Sequence, residues 1–131
     1  MSEMIYLNGS IIPRSQASLS VLDYGFLYGF GLFETMRIYE GQVFRLLRHI
    51  KRLADSAEML GFPLGELDLK NAVMATIQAN QLSEARIRIT ISFGEGAMIP
   101  DLSTCRKPTV LIMAQPYQPH PEAVYQKGFR A

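Results

Sequence analysis

Residues 25–41 read GFLYGFGLFETMRIYEG, and this stretch decides how the rest of the chain is read. Gly25, Gly29 and Gly31 alternate with Phe26, Tyr28, Phe30 and Phe33, and the run then becomes an alternating strand, Leu32 to Tyr39. Glycine ahead of a strand marks a backbone that bends sharply or lets another group approach closely. The aromatics raise the question of whether that group is a ligand. Glu40-Gly41 ends the strand as a turn, predicting a partner strand over Gln42 to Leu46.

On the N-terminal side, Ile5 to Ile12 forms two short apolar runs around Asn8-Gly9, a hairpin signal because both residues accept positive φ. Pro13 to Ser20 is polar and connects. On the C-terminal side the period changes. Leu46, Ile50, Leu53, Ala57 and Leu60 recur at steps of three and four residues, giving one apolar stripe on a helix that Gly61 and Pro63 stop. A second helix is expected from Glu66 to Ala79, with Leu69, Val73 and Ile77 one turn apart.

Arg86 to Phe93 alternates polar and apolar residues, so one face belongs to the core and the other carries Arg86 and Arg88. After Gly94-Glu95-Gly96 and a loop over 97–108, Thr109 to Ala114 is apolar enough for a strand covered on both faces. The fold class is therefore α+β, a mostly antiparallel sheet with two helices packed on one side. From Gln115 onward, Pro116, Pro119 and Pro121 give linker composition, and the chain reads as the leading portion of a longer protein. Residues 1–115 form the expected domain and 116–131 the linker.

Composition narrows the function classes. A length of 131 residues suits one domain, and a charged fraction of 19% against 48% hydrophobic is that of a soluble protein. A net charge of +1 offers no attraction for nucleic acid or an acidic membrane. The longest apolar run, Val110 to Ala114, is far too short to span a bilayer, and the N-terminus lacks the pattern of a signal peptide. The single cysteine, Cys105, fits a reducing compartment, so a cytoplasmic location is expected.

Gly29-Phe30-Gly31 lacks the third glycine and the following helix of a dinucleotide fingerprint. His49, His120 and Cys105 are too scattered for a metal site, so none is expected. Arg86 and Arg88 fit either an anion site or an exposed sheet face. Arg52, on the polar side of the first long helix, reads as a solvated charge near Asp55.

Taken together, Asp23-x-Gly25, Tyr28-Gly29-x-Gly31-x-Phe33-Glu34 and His49-x-x-Arg52-Leu53-x-x-Ser56-Ala57 resemble the N-terminal domain of class IV aminotransferases. These are the fold-type IV pyridoxal-phosphate enzymes, which include branched-chain aminotransferases, D-amino acid aminotransferases and aminodeoxychorismate lyases. The resemblance runs from about Ile5 to Gln115 and implies the small domain of such an enzyme. It implies pyridoxal 5'-phosphate as cofactor, with Arg52 binding its phosphate. Tyr28, Phe33, Arg37 and Arg88 are implied to line the substrate pocket, with the glycine-aromatic loop near a homodimer interface. Amino acids and 2-oxo acids are the implied substrates, with a branched-chain-like substrate favoured.

The segment Gly94 to Asp101 lacks the Arg-x-His carboxylate trap of D-amino acid aminotransferases, and Phe30 stands where many members carry a small or acidic residue. No catalytic residue is assigned: the family's Schiff-base lysine lies in a second domain, and Lys51, Lys70, Lys107 and Lys127 do not match it. The alternatives are an aminodeoxychorismate lyase of the same family, or a non-catalytic binding or assembly domain.

Overall fold

The computed structural model describes residues 3–61, 64 and 67–116. Six strands form one sheet in the order β2-β1-β6-β5-β3-β4, and every neighbouring pair is antiparallel. The strands are β1 (Met4–Leu7), β2 (Ser10–Pro13), β3 (Gly31–Tyr39), β4 (Gln42–Val43), β5 (Ala85–Ser92) and β6 (Thr109–Pro116). Asn8 and Gly9 have φ of 50° and 97°, as a tight turn between right-twisted strands requires, and the first hairpin forms where the sequence places it.

Three helices complete the fold: α1 (Tyr24–Tyr28), α2 (Leu46–Met59) and α3 (Leu69–Asn80). Leu53 of α2 and Leu69, Val73 and Ile77 of α3 are buried against Met36, Ile38, Ile87, Ile89 and Ile112 of the sheet. Burying each such side chain is worth about 1.5–3 kcal/mol before ordering entropy is charged against it. The two long helices therefore cover one face, as the alternation in β3 and β5 requires.

The differences from expectation have local causes. The strand expected over Gln42 to Leu46 stops at Val43, because Arg45 adopts a left-handed conformation (φ 57°) and Leu46 already belongs to the helical stripe. Helix α3 starts at Leu69, where the Asp68 carboxylate accepts from the Asn71 amide at 3.1 Å; Glu66 and Pro63 lie outside the described residues. Strand β6 is not covered on both faces. Val110, Ile112 and Ala114 enter the core, whereas Leu111 is only half-buried and Met113 is exposed. The run expected as a loop ahead of β3 contains α1, a single helical turn. Of the expected linker, residues 117–131 lie outside the described residues.

Candidate functional site

The face opposite the long helices carries the site. Helix α1 is capped by Asp23, whose side chain accepts from the Gly25 amide, and closed by Gly29 in the left-handed region (φ 71°). Gly31 then passes so close to β5 that a Cβ there would lie 2.8 Å from the Ile91 carbonyl. The glycines thus let a helical turn reverse and fuse into the sheet without a side chain between the two backbones. Beside this loop is a hollow of about 460 Å³, lined by Gly25, Phe26, Gly29, Gly31, Phe33, Arg88, Thr90 and Leu111 among others.

Phe33 and Arg88 meet in its wall. Phe33 faces Thr90 across the β3–β5 ladder, and the Arg88 guanidinium stacks 4.1 Å from the centre of the Phe33 ring. Stacking fixes the guanidinium plane while leaving its N–H fork at the edge, the geometry that suits a carboxylate. The Phe33 residue is 59% exposed, so the hollow has an apolar wall facing outward. Tyr28, expected in the pocket, is not in the lining of this hollow. Its hydroxyl donates to the Met98 carbonyl at 2.6 Å, and its ring packs 5.7 Å from that of Phe30.

Arg37 occupies the same sheet face but a different place. Its guanidinium donates to the Ala85 carbonyl at 3.0 Å and pairs with Glu84 at 3.3 Å, and the hollow's lining does not include it. Arg52 lies on the helix side. Its partner is not Asp55, which pairs with Lys51 at 2.8 Å, but Glu34, 3.6 Å from one guanidinium nitrogen. The other Glu34 oxygen meets His49 Nδ1 at 2.6 Å. Strand alternation explains the arrangement: Phe33 and Glu34 are consecutive, so one lines the hollow while the other backs Arg52 from the opposite face. Strand β4 pairs with β3 only at Ile38 and Tyr39, leaving the start of β3 as a sheet edge among the described residues. The Arg52 side chain is 70% exposed beside that edge, with donors available to an oxyanion. A phosphate fits this donor set, since Glu34 engages one nitrogen of a guanidinium that carries five N–H donors.

Sequence reading assigned no role to three neighbours. Asp23 is buried (2% exposed) and accepts from the Gly25 amide at 2.8 Å, the Ser92 hydroxyl at 2.7 Å and the Thr109 hydroxyl at 2.6 Å. Tyr24 is buried as well, with its hydroxyl donating to the Ala97 carbonyl at 2.6 Å and accepting from the Asp101 amide at 3.0 Å. Glu34 joins His49 to Arg52. Asp23 and Glu34 stand in the motifs that carry the family resemblance, and an Asp two residues ahead of a glycine is a capping pattern that could have marked Asp23. Cys105 is half-buried; burial first, then the charges of Asp23 and Asp101, raise its thiol pKa, which makes it a poor nucleophile. Among the described residues no cluster of metal-ligating side chains occurs, and no helix is long and apolar enough to cross a membrane.

The chain is similar to several known proteins. A putative branched-chain-amino-acid aminotransferase of Methanocaldococcus jannaschii is 42% identical over 117 residues, covering 88% of this chain and 41% of that protein. The aminodeoxychorismate lyase of Bacillus subtilis is 33% identical over 129 residues, covering 95% and 44% respectively. Among solved structures, a branched-chain amino acid aminotransferase from T.th., complexed with N-(5'-phosphopyridoxyl)-L-glutamate, superposes with a TM-score of 0.78 at 26% identity. That match covers 89% of this chain and 41% of the other. The chain thus spans less than half the length of these relatives. The family model described as amino-transferase class IV matches residues 31–131, and with the sheet, the glycine-aromatic loop and these relatives it shows that the chain belongs to the class IV aminotransferases.

Proposed function

We propose that this chain is the small domain of a pyridoxal-phosphate-dependent aminotransferase that moves an amino group between an amino acid and a 2-oxo acid. The observation that carries the reading is the pairing of Phe33 and Arg88 in the wall of the hollow beside the glycine-aromatic loop. An apolar ring accepts an aliphatic side chain, and the stacked guanidinium supplies a fixed cation for a carboxylate, so one wall serves an apolar amino acid and an acidic co-substrate. Tyr28 keeps a pocket role in this proposal on the family resemblance alone. Arg37, tied to Glu84, contributes positive field from the far end of the same face.

Arg52 binds the cofactor phosphate in this proposal, and Glu34 holds the guanidinium in place from behind. When bound, pyridoxal phosphate supplies the electron sink that makes a proton on the substrate Cα removable. This chain's share is to bind and orient; the group that moves the proton belongs to a second domain, reached through residues 116–131. The similarity to branched-chain aminotransferases supports a branched-chain-like substrate. The loop's exposed aromatics support a homodimer, and a cytoplasmic enzyme acting on small molecules, with neither nucleic acid nor membrane as partner, is the setting proposed. The second reading, an aminodeoxychorismate lyase, rests on the similarity to the Bacillus subtilis enzyme.

The test uses the full-length protein loaded with pyridoxal phosphate. Incubation with branched-chain amino acids and 2-oxoglutarate should yield glutamate, while aminodeoxychorismate should yield no pyruvate. Pyruvate without glutamate would replace the transferase with the lyase, and neither product would overturn the assignment.

A further inference from the structure

The Asp23 carboxylate is more than a helix cap. It receives donors from three chain segments: the Gly25 amide of α1, the Ser92 hydroxyl at the end of β5 and the Thr109 hydroxyl at the start of β6. Ser92 and Thr109 are opposite each other in the β5–β6 ladder, so Asp23 straddles the end of that strand pair. The approach is close: a Cβ on Gly25 would lie 2.6 Å from that of Ser92. The main chain repeats the attachment, with the Tyr24 amide bonding the Gly94 carbonyl at 2.9 Å and the Gly96 amide bonding the Leu22 carbonyl at 3.2 Å. Beside it, Tyr24 and Tyr28 send their hydroxyls to the carbonyls of Ala97 and Met98.

We propose that Asp23 is a positioning residue for the substrate pocket, a clasp that sets the distance between the glycine-aromatic loop and the Phe33–Arg88 wall. Three donors leave the carboxylate little freedom to turn, so its position is that of the sheet beneath it. Asp23, Ser92 and Thr109 also stand in the lining of the hollow. Whatever the loop presents to substrate is therefore held against Arg88 and Thr90 by a buried group at the floor of the pocket itself, and hydrogen exchange separates holding the loop from touching the substrate. Asp23→Asn preserves the volume but turns one acceptor oxygen into an NH2 facing a donor. With the NH2 toward Thr109 that hydroxyl must reverse and accept, and with it toward Gly25 the backbone N–H, which cannot accept, loses its partner. Either way the charge that strengthened all three bonds is gone. The loop should loosen while the sheet and the Arg52 site remain as they were.

Two measurements on the full-length protein test this. Hydrogen exchange reads the clasp itself, independently of any activity: amides of residues 25–30 should exchange roughly tenfold faster in Asp23→Asn, with those of β5 unchanged. Kinetics, which rests on the aminotransferase reading, should show KM for the amino acid raised roughly tenfold, with kcat and cofactor affinity within about twofold of wild type. Thr109→Val and Ser92→Ala, which each remove one donor, should give the same pattern more weakly and stand in if the Asp23 variant does not fold. Unchanged exchange in all variants would overturn the clasp. Faster exchange with unchanged KM in a wild-type enzyme that transaminates would overturn its role in the pocket. A wild-type protein with no transaminase activity would sink the functional reading, while the exchange result would still decide whether Asp23 holds the loop.

Discussion

At the residue scale, the proposed function gives Arg52 a duty separable from that of Phe33 and Arg88, and the two have different consequences. Arg52 meets its partner Glu34 at 3.6 Å but is mostly exposed, so that ion pair by itself contributes little to stability. In the proposed function its role is instead to bind the cofactor phosphate. Hydrogen bonds to charged groups are worth about 1.5–3 kcal/mol, so in the full-length protein Arg52→Ala should weaken pyridoxal phosphate binding roughly 10- to 100-fold while the melting temperature stays close to wild type. Titrating cofactor into the variant apoprotein measures this, and equal affinities would return Arg52 to a solvated charge. Phe33→Ala and Arg88→Ala should act on the amino acid instead. Either change breaks the 4.1 Å stack, and specificity constants should fall roughly tenfold or more without a matching loss of cofactor. Normal specificity constants in both variants would leave these residues as sheet surface.

Cys105 carries a pH consequence. Burial and the neighbouring Asp23 and Asp101 charges raise its pKa in the folded chain, so the folded state favours the thiol over the thiolate. Its stabilising contribution is fully present below the thiol's unfolded pKa and is lost as pH rises from there through the raised folded value. Near pH 8 the folded protein should therefore react with iodoacetamide more slowly than the same protein in guanidinium chloride. Equal rates would show that the shift has no chemical effect.

At the element scale, what periodicity can express was legible and what it cannot was not. The α2 stripe from Leu46 to Ala57, the α3 stripe, the Asn8-Gly9 hairpin and the alternation of β5 lie where their patterns put them, because each side of those elements meets a different environment. Leu60, expected to close the α2 stripe, instead falls past the helix end at Met59 and is exposed. Strand β4 was misread in length because Arg45 takes a left-handed conformation that no local propensity announces. Helix α1 was missed because five residues are too few for a period, and Asp23 and Tyr24 are held by partners about seventy residues or more away. The site followed the same division. Strand alternation put Arg88 on an outward face, whereas Phe33, Tyr28, Arg37 and Arg52 were marked only by the family resemblance, and Glu34 behind Arg52 needed the tertiary fold. The capping of α3 shows how local signals turn into stability: Asp68 satisfies the Asn71 amide, and Asp68→Ala should lower the unfolding free energy by about 1 kcal/mol. Chemical denaturation would check it, with no change in midpoint as the contrary result.

At the scale of the whole molecule, the chain has a core of its own and, in the proposed function, part of a site. One face of the sheet is sealed by α2 and α3. The other presents Phe33, Met113, Phe26 and Val21 to solvent, with Phe26 and Val21 more than 70% exposed. A contiguous apolar surface of this kind marks an interface, and an isolated protein that exposes it tends to associate. The 131-residue chain expressed alone should therefore fold cooperatively, run larger than its 14.7 kDa mass in light scattering, and turn over no amino acid. Catalysis should be missing because the Arg52 phosphate site and the Phe33–Arg88 wall orient a reaction without holding a group placed to move its proton. Lys51, the nearest ammonium in sequence to Arg52, is paired with Asp55, which raises its pKa and keeps it protonated at neutral pH. Its side chain is 75% exposed, so desolvation offers no route to a reactive amine. Absorbance after incubation with pyridoxal phosphate, gel filtration and borohydride reduction reads the outcome. A colourless, inactive, self-associating chain fits a domain that binds and orients; a yellow adduct that survives filtration and transaminates would place the reacting amine within these 131 residues.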